Sequence, residues 1–317
     1  MDNKEIYKKT LVFSLRRLLW DLGSVIVLVL FMAAGFFIGT MIQNEYALMG
    51  LIIGFIIAII LISVVSHFVS YVFKAGQIAM MTKGVTEGKL PDDVYAEGKK
   101  AVKERFPAVA GYYFVTRAIS GIFSQIGNAI SSIGQAVGGD NGGAIGSAIS
   151  SIIQTIVRYL SDCCLGWIFY RKDKGAVKAT LEGAVLFFKH GKTLMKNLGR
   201  VFGISLLSFL AIGGVFFGIT YLICQGFPDA FNYLAETFAS EEEATWLGEA
   251  NNVMLAASGL AGIIMWSILH SVFVRPFILV GVLRNYIESG KDEQFADSDF
   301  DEVASKSKKF KKLQEKA

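Results

Sequence analysis

No charged residue stands between Asp21 and Glu45, and the run Leu22–Ile42 inside that interval is apolar almost throughout. At about 1.5 Å per residue such a run crosses the ~30 Å hydrocarbon core of a bilayer. There the backbone finds no water and must bond to itself, which makes it helical. Five further stretches have the necessary length: Tyr46–Phe73, Pro107–Ser132, Gly143–Tyr170, Val201–Cys224 and Val253–Val282. With 53% hydrophobic residues, a mean hydropathy of +0.49 and only four prolines, the chain is too apolar for a soluble domain of 317 residues. The expectation is an all-α, polytopic helical membrane protein with about six transmembrane helices, built as a single integral membrane domain over 1–317.

Charge orients the spans. All 31 Lys and Arg fall in the N-terminus, in residues 74–117 and 158–200, or from Arg275 onward; the connections Gln43–Glu45, Ile133–Gly142 and Gln225–Asn252 hold none. Positive charge stays on the cytoplasmic side, so both termini are expected there, with those three connections outside and the plasma membrane as the location. Residues 4–20 alternate basic and apolar at helical period, as an amphipathic helix on the cytoplasmic surface does. The next apolar run is too long for a signal-peptide core and lacks a small-residue cleavage site, so the first span is expected to remain. The outer connection Gln225–Asn252 is acidic, and its Phe227, Phe231, Leu234 and Phe238 are spaced as the apolar face of an interfacial helix.

The sequence divides into a first helical pair (1–106), a central hairpin (107–171), a second helical pair (172–282) and a charged tail (283–317). The two pairs share features. Asp21-Leu22-Gly23-Ser24-Val25 matches Asn197-Leu198-Gly199-Arg200-Val201, Phe36-Phe37-x-x-Thr40 matches Phe216-Phe217-x-x-Thr220, and each pair exits through a Glu-x-Gly-Lys-like segment. A parallel repeat flanking the hairpin accounts for this, as in transporters; chance similarity between apolar sequences accounts for it equally.

The hairpin carries polar stripes where polarity is costly. Arg117, Gly121, Ser124, Gln125, Asn128, Ser131 and Gln135 recur three or four residues apart, as do Ser147, Ser150, Ser151, Gln154, Arg158, Ser161 and Asp162. Between them Gly138–Gly143 reads as a turn. Arg158 and Asp162 stand four apart, the spacing of an intrahelical ion pair. Two roles fit the stripes: Arg117, Gln125, Asn128, Gln154, Arg158 and Asp162 line a solute path, or they hold the hairpin together by polar packing. His67 and His270 sit late in the second and last spans, each near a cation, and fit either proton coupling or hydrogen-bonded packing.

Other chemistry is not called for. Cys163, Cys164 and Cys224 form neither a disulfide framework nor a zinc spacing and read as small packing residues. No nucleophile elbow, phosphate loop, His-Glu-x-x-His or intramembrane carboxylate pair is present, so no enzyme, cofactor or metal is expected. The basic run Lys306–Lys312 suits anionic lipid, and nothing points to nucleic acid. Glycines four apart (Gly35 and Gly39, Gly50 and Gly54, Gly214 and Gly218) permit close helix approach.

From about Gly143 to Gly214 the order of features resembles the C-terminal half of the choline transporter-like family. There is a small-residue span with a late arginine (Ile145 to Arg158, then Tyr159), the pair Cys163-Cys164, a basic stretch, and Lys192–Val201 (KTLMKNLGRV). The stretch is under a quarter of the chain, which is far shorter than that family's members and lacks their large extracellular domain. The resemblance implies a transporter of a small organic cation, with no binding residue carried over. The function expected is therefore a transporter or channel-like protein for a small polar or charged solute. The rival is a non-transporting scaffold or accessory subunit whose stripes meet a membrane partner or a second copy.

Overall fold

A computed structural model of the chain describes the backbone of residues 1–43, 46–137, 142–196, 198–239, 246 and 248–316. The side chains of residues 48, 67–68, 70, 109, 126–137, 142–154, 156, 191–196, 198–200, 202 and 237–239 lie outside that description. The described residues form helices and turns and no strand. They divide into two compact units, Met1–Leu198 with Pro276–Ala317, and Gly199–Arg275.

In the first unit, α1 (Asn3–Ile42) starts at Asp2, whose carboxylate caps the helix by accepting the Glu5 N–H at 2.7 Å. The amphipathic stretch expected on the membrane surface is the first half of this one continuous helix. Its apolar face is buried by protein: Ile6 and Phe13 are fully covered. Glycines make the room, since Phe13 lies over Gly76 and Gly98, and Ile6 over Gly84. Thr10 and Ser14 share that face and receive the Gln77 amide, through the Thr10 carbonyl at 3.2 Å and the Ser14 hydroxyl at 2.8 Å.

Further along, α1 packs backbone to backbone on α2 (Ala47–Val69). A methyl group added at Gly35, Gly39, Gly50 or Gly54 would collide with a carbonyl of the facing helix, so only glycine permits this separation. A π-helical turn, Ser70–Lys74, leads into α3 (Ala75–Glu87), which ends on Gly88 in the left-handed conformation (φ 68°). Next come α4 (Val94–Arg105), the hairpin α5 (Val109–Val137) and α6 (Gly142–Tyr170), and α7 (Ala176–Lys196).

The second unit holds α8 (Leu198–Ser208), a π-helical turn at Phe209–Gly213, α9 (Gly214–Gln225), α10 (Pro228–Ala239), α11 (Ala250–Leu269) and a π-helical turn at His270–Val274. Its glycine contact differs from expectation. Gly214 and Gly218 face open space, whereas Gly213 and Gly262 touch: a Cβ on Gly262 would sit 2.7 Å from the Gly213 carbonyl oxygen. The helix expected in the acidic connection is α10, with Leu234 exposed on it.

The chain returns to the first unit through α12 (Arg275–Gly290), α13 (Asp297–Lys306) and α14 (Lys308–Gln314). Here the helices share a buried apolar and aromatic core. Trp167 and Tyr286 are fully buried, the Tyr286 hydroxyl donates to the Gly183 carbonyl, and Cys164 packs against Gly183. Ile122 of α5, Leu181, Ala184 and Val185 of α7, Val303 of α13 and Phe310 and Leu313 of α14 form one apolar cluster.

Among the described residues four helices are long and apolar enough to cross a membrane: Asn3–Ile42, Met49–Glu87, Gly203–Gln225 and Ala250–Gly290. They also carry most of the exposed large apolar side chains, from Leu19 to Val65, Ile204 to Ile223 and Leu260 to Ile264. Such a surface is compatible with insertion into a membrane. At 29 residues each, α5 and α6 are about 43 Å long, sufficient by length alone.

Candidate functional site

The base of the hairpin holds the most unusual charge in the first unit. Asp162 of α6 is 2% exposed, and its carboxylate meets the Lys74 ammonium at 2.7 Å. The sequence spacing points to Arg158, one turn earlier on the same helix. The structure instead brings in Lys74 from the π turn after α2, while Arg158 lies exposed. The reason is rotational. A π turn inserts an extra residue and swings the next helical turns around the axis, so Lys74 reaches α6 while Ala75 and Ile78 still enter the core.

Aromatic groups fix that turn. The Tyr71 hydroxyl donates to the Phe106 carbonyl at 2.7 Å, and its ring meets Tyr112 of α5 edge-on at 5.3 Å. Phe73 stacks on Tyr95 at 6.1 Å, and the Arg16 guanidinium lies 3.7 Å from the centre of the same Tyr95 ring. Four elements therefore hold Lys74 in register with Asp162: α1, α4, α5 and α6.

The remaining stripe residues divide. On α5, Arg117 is exposed. Gln125 faces the tail, its amide oxygen accepting the Ser307 hydroxyl at 2.7 Å and the Lys309 N–H at 3.2 Å. Ser307 also caps α14 by accepting the Phe310 N–H at 3.2 Å. On α6, Ser161 bonds back to the Val157 carbonyl at 2.7 Å. Asn128 and Gln154 lie outside the described side chains, as does His67. His270, in the second unit, meets the Ser205 hydroxyl at 3.1 Å through Nε2 and lies against Trp266 at 5.2 Å. Those contacts tie two helices together.

One polar cluster has no counterpart in the sequence pattern. Lys189 of α7 reaches Glu293 at 2.7 Å and Asp299 at 2.9 Å, and His190 meets Glu293 at 3.0 Å. Hydrogen bonds from Lys189 hold both carboxyls below the usual carboxylate range, with His190 adding to the effect at Glu293. The same bonds raise Lys189. Nearby, Arg171 pairs with the buried Glu182 at 3.0 Å, and burial pushes that carboxyl up against the pull of the guanidinium. A sequence separation of more than a hundred residues hides the Lys189 cluster, and no local spacing announces it. Among the described residues no three His, Cys, Asp or Glu side chains are grouped to hold a metal ion.

No family model, no curated protein and no solved structure matches the chain.

Proposed function

We propose that this chain is a multi-pass transporter or channel-like protein of the plasma membrane, passing a small polar or charged solute along the α5–α6 hairpin. The carrying observation is the buried Lys74–Asp162 pair at the foot of the α6 stripe. Removing the Asp162 carboxylate from water is costly, and at membrane depth such groups mark functional paths. This pair also links the hairpin to a π turn, an element that changes register readily. Rotation of α2 by one residue separates the two charges, which makes the pair a latch at the inner end of the path.

In this reading α5 and α6 supply the third and fourth of six spans, and both termini are cytoplasmic. A parallel repeat relates the two helical pairs: Ser70-Tyr71-Val72-Phe73-Lys74 and His270-Ser271-Val272-Phe273-Val274 each form a π turn ending at or beside a cation, Lys74 or Arg275. The resemblance to the choline transporter-like family makes a small organic cation the first solute to assay.

A second reading has its own observation. Gln125 is occupied by the tail, and Lys309 lies over Gly121, so this part of the α5 stripe meets protein. That favours a scaffold whose stripes are contact surfaces. Cysteine scanning separates the two. A water-filled path makes N128C, S151C and Q154C react with small charged thiol reagents in membranes, while F123C, on a buried position, stays silent. Silence at all three stripe positions defeats the transport reading.

A further inference from the structure

We infer that the cleft between α5 and α14 is a binding site for a phosphate-bearing anion with at least two negative charges, either a membrane lipid headgroup or a soluble polyphosphate. The cleft measures about 810 Å³, and Phe114, Arg117, Gly121, Lys309, Lys312 and Lys316 contribute its working surface.

Its register comes from two contacts. The Lys309 stem lies over Gly121, 2.7 Å from where an alanine Cβ would stand, and the Lys316 ammonium lies 6.0 Å from the centre of the Phe114 ring. The helices therefore run antiparallel here, with 309 beside 121 and 316 beside 114. On α5 the positions 114, 117 and 121 share one face; 309 and 312 on α14, with 316 in the turn just past its end, repeat that spacing. Lys312 is thereby set opposite Arg117. Like charges so placed repel, and among the described residues no carboxylate lines the cleft to offset them.

The arrangement is nevertheless held in place. Phe310 and Leu313 anchor α14 in the apolar cluster, and Gln125 bonds both Ser307 and the Lys309 N–H. A folded element that forces four cations around one cleft is a receptor for polyvalent anions. Arginine supplies paired donors to phosphate oxygens and lysines supply point charges. The volume exceeds that of a single phosphate and suits two. Basic clefts at the cytoplasmic ends of membrane helices take such headgroups. This inference stands whether or not the hairpin conducts a solute.

Native mass spectrometry of the detergent-solubilised full chain tests it, with cardiolipin and inorganic pyrophosphate as separate probes and phosphatidylcholine as reference. The variants are K309Q/K312Q, which strips the cleft, and K308Q/K311Q, which removes the same charge from the same helix outside it. Cardiolipin retained by wild type and K308Q/K311Q but weakened about tenfold in K309Q/K312Q supports the site and assigns it to lipid. The same pattern with pyrophosphate alone supports the site and assigns it to a soluble anion. Equal weakening in the two variants, or no binding of either probe by wild type, overturns the inference. Matching melting temperatures of the two variants exclude unfolding as the cause.

Discussion

A buried charge pair is asymmetric when one member keeps contact with solvent. The Lys74 side chain is 35% exposed and that of Asp162 3%. Removing the cation from so buried a carboxylate costs about 3 kcal/mol or more, the range for broken buried pairs. Removing the carboxylate leaves an ammonium that rehydrates in part, at roughly 1 kcal/mol. Lys74→Met should therefore lower the melting temperature more than Asp162→Asn, and the double variant should recover part of the loss. Equal effects of the two single changes would sink the latch. That Asp162 needed a cation was legible from its place in an apolar helix. Which cation was not, because Arg158 at i−4 is the natural local partner, and only the π turn brings Lys74 to the opposite side.

Elements were legible where one physical rule dominates. Apolar runs without charge became α1, α2, α9 and α11, and glycines four apart became the contact between α1 and α2. The tail was harder. A lysine-rich segment reads as solvated, yet α13 and α14 bury Val303, Phe310 and Leu313 and dock on α7 through Lys189, Glu293 and Asp299. The docking has a defined pH response. Both carboxyls are held low, so their contribution is present above the usual carboxylate range and is lost as pH falls through their depressed values. Lys189 is raised, so its share is lost only as pH climbs past the usual lysine range. Hydrogen exchange across residues 297–314 should show firm protection at pH 7 and loss of protection below about pH 4, beyond the change in intrinsic exchange. E293Q/D299N at pH 7 should reproduce the acid behaviour. Protection unchanged in that variant would show that the apolar contacts alone hold the tail.

At the scale of the molecule, charge and hydropathy pointed to apolar helices fit to cross a membrane and to an expected orientation. The division into two units also has a mark in the sequence, since no Lys or Arg stands between Arg200 and Arg275. The boundary is a matter of which helices pack together. Orientation is open to direct measurement. Reporters fused at Asp140 and Glu242 should lie outside the cell and one at Gly88 inside, by the one-sided placement of Lys and Arg. A cytoplasmic signal at Asp140 or Glu242 removes the six-span arrangement.

The first unit is assembled from two pieces separated by all of Gly199–Arg275. On the ribosome this becomes a matter of time. When α5 and α7 have emerged, Ile122, Leu181 and Val185 have no Val303, Phe310 or Leu313 to cover them. At typical bacterial or eukaryotic elongation rates the wait is on the order of ten seconds. Helical bundles otherwise close within milliseconds. For that interval the nascent chain presents an uncovered apolar surface on α5 and α7, and the order in which its helices are written sets a period of exposure that ends only when the tail docks.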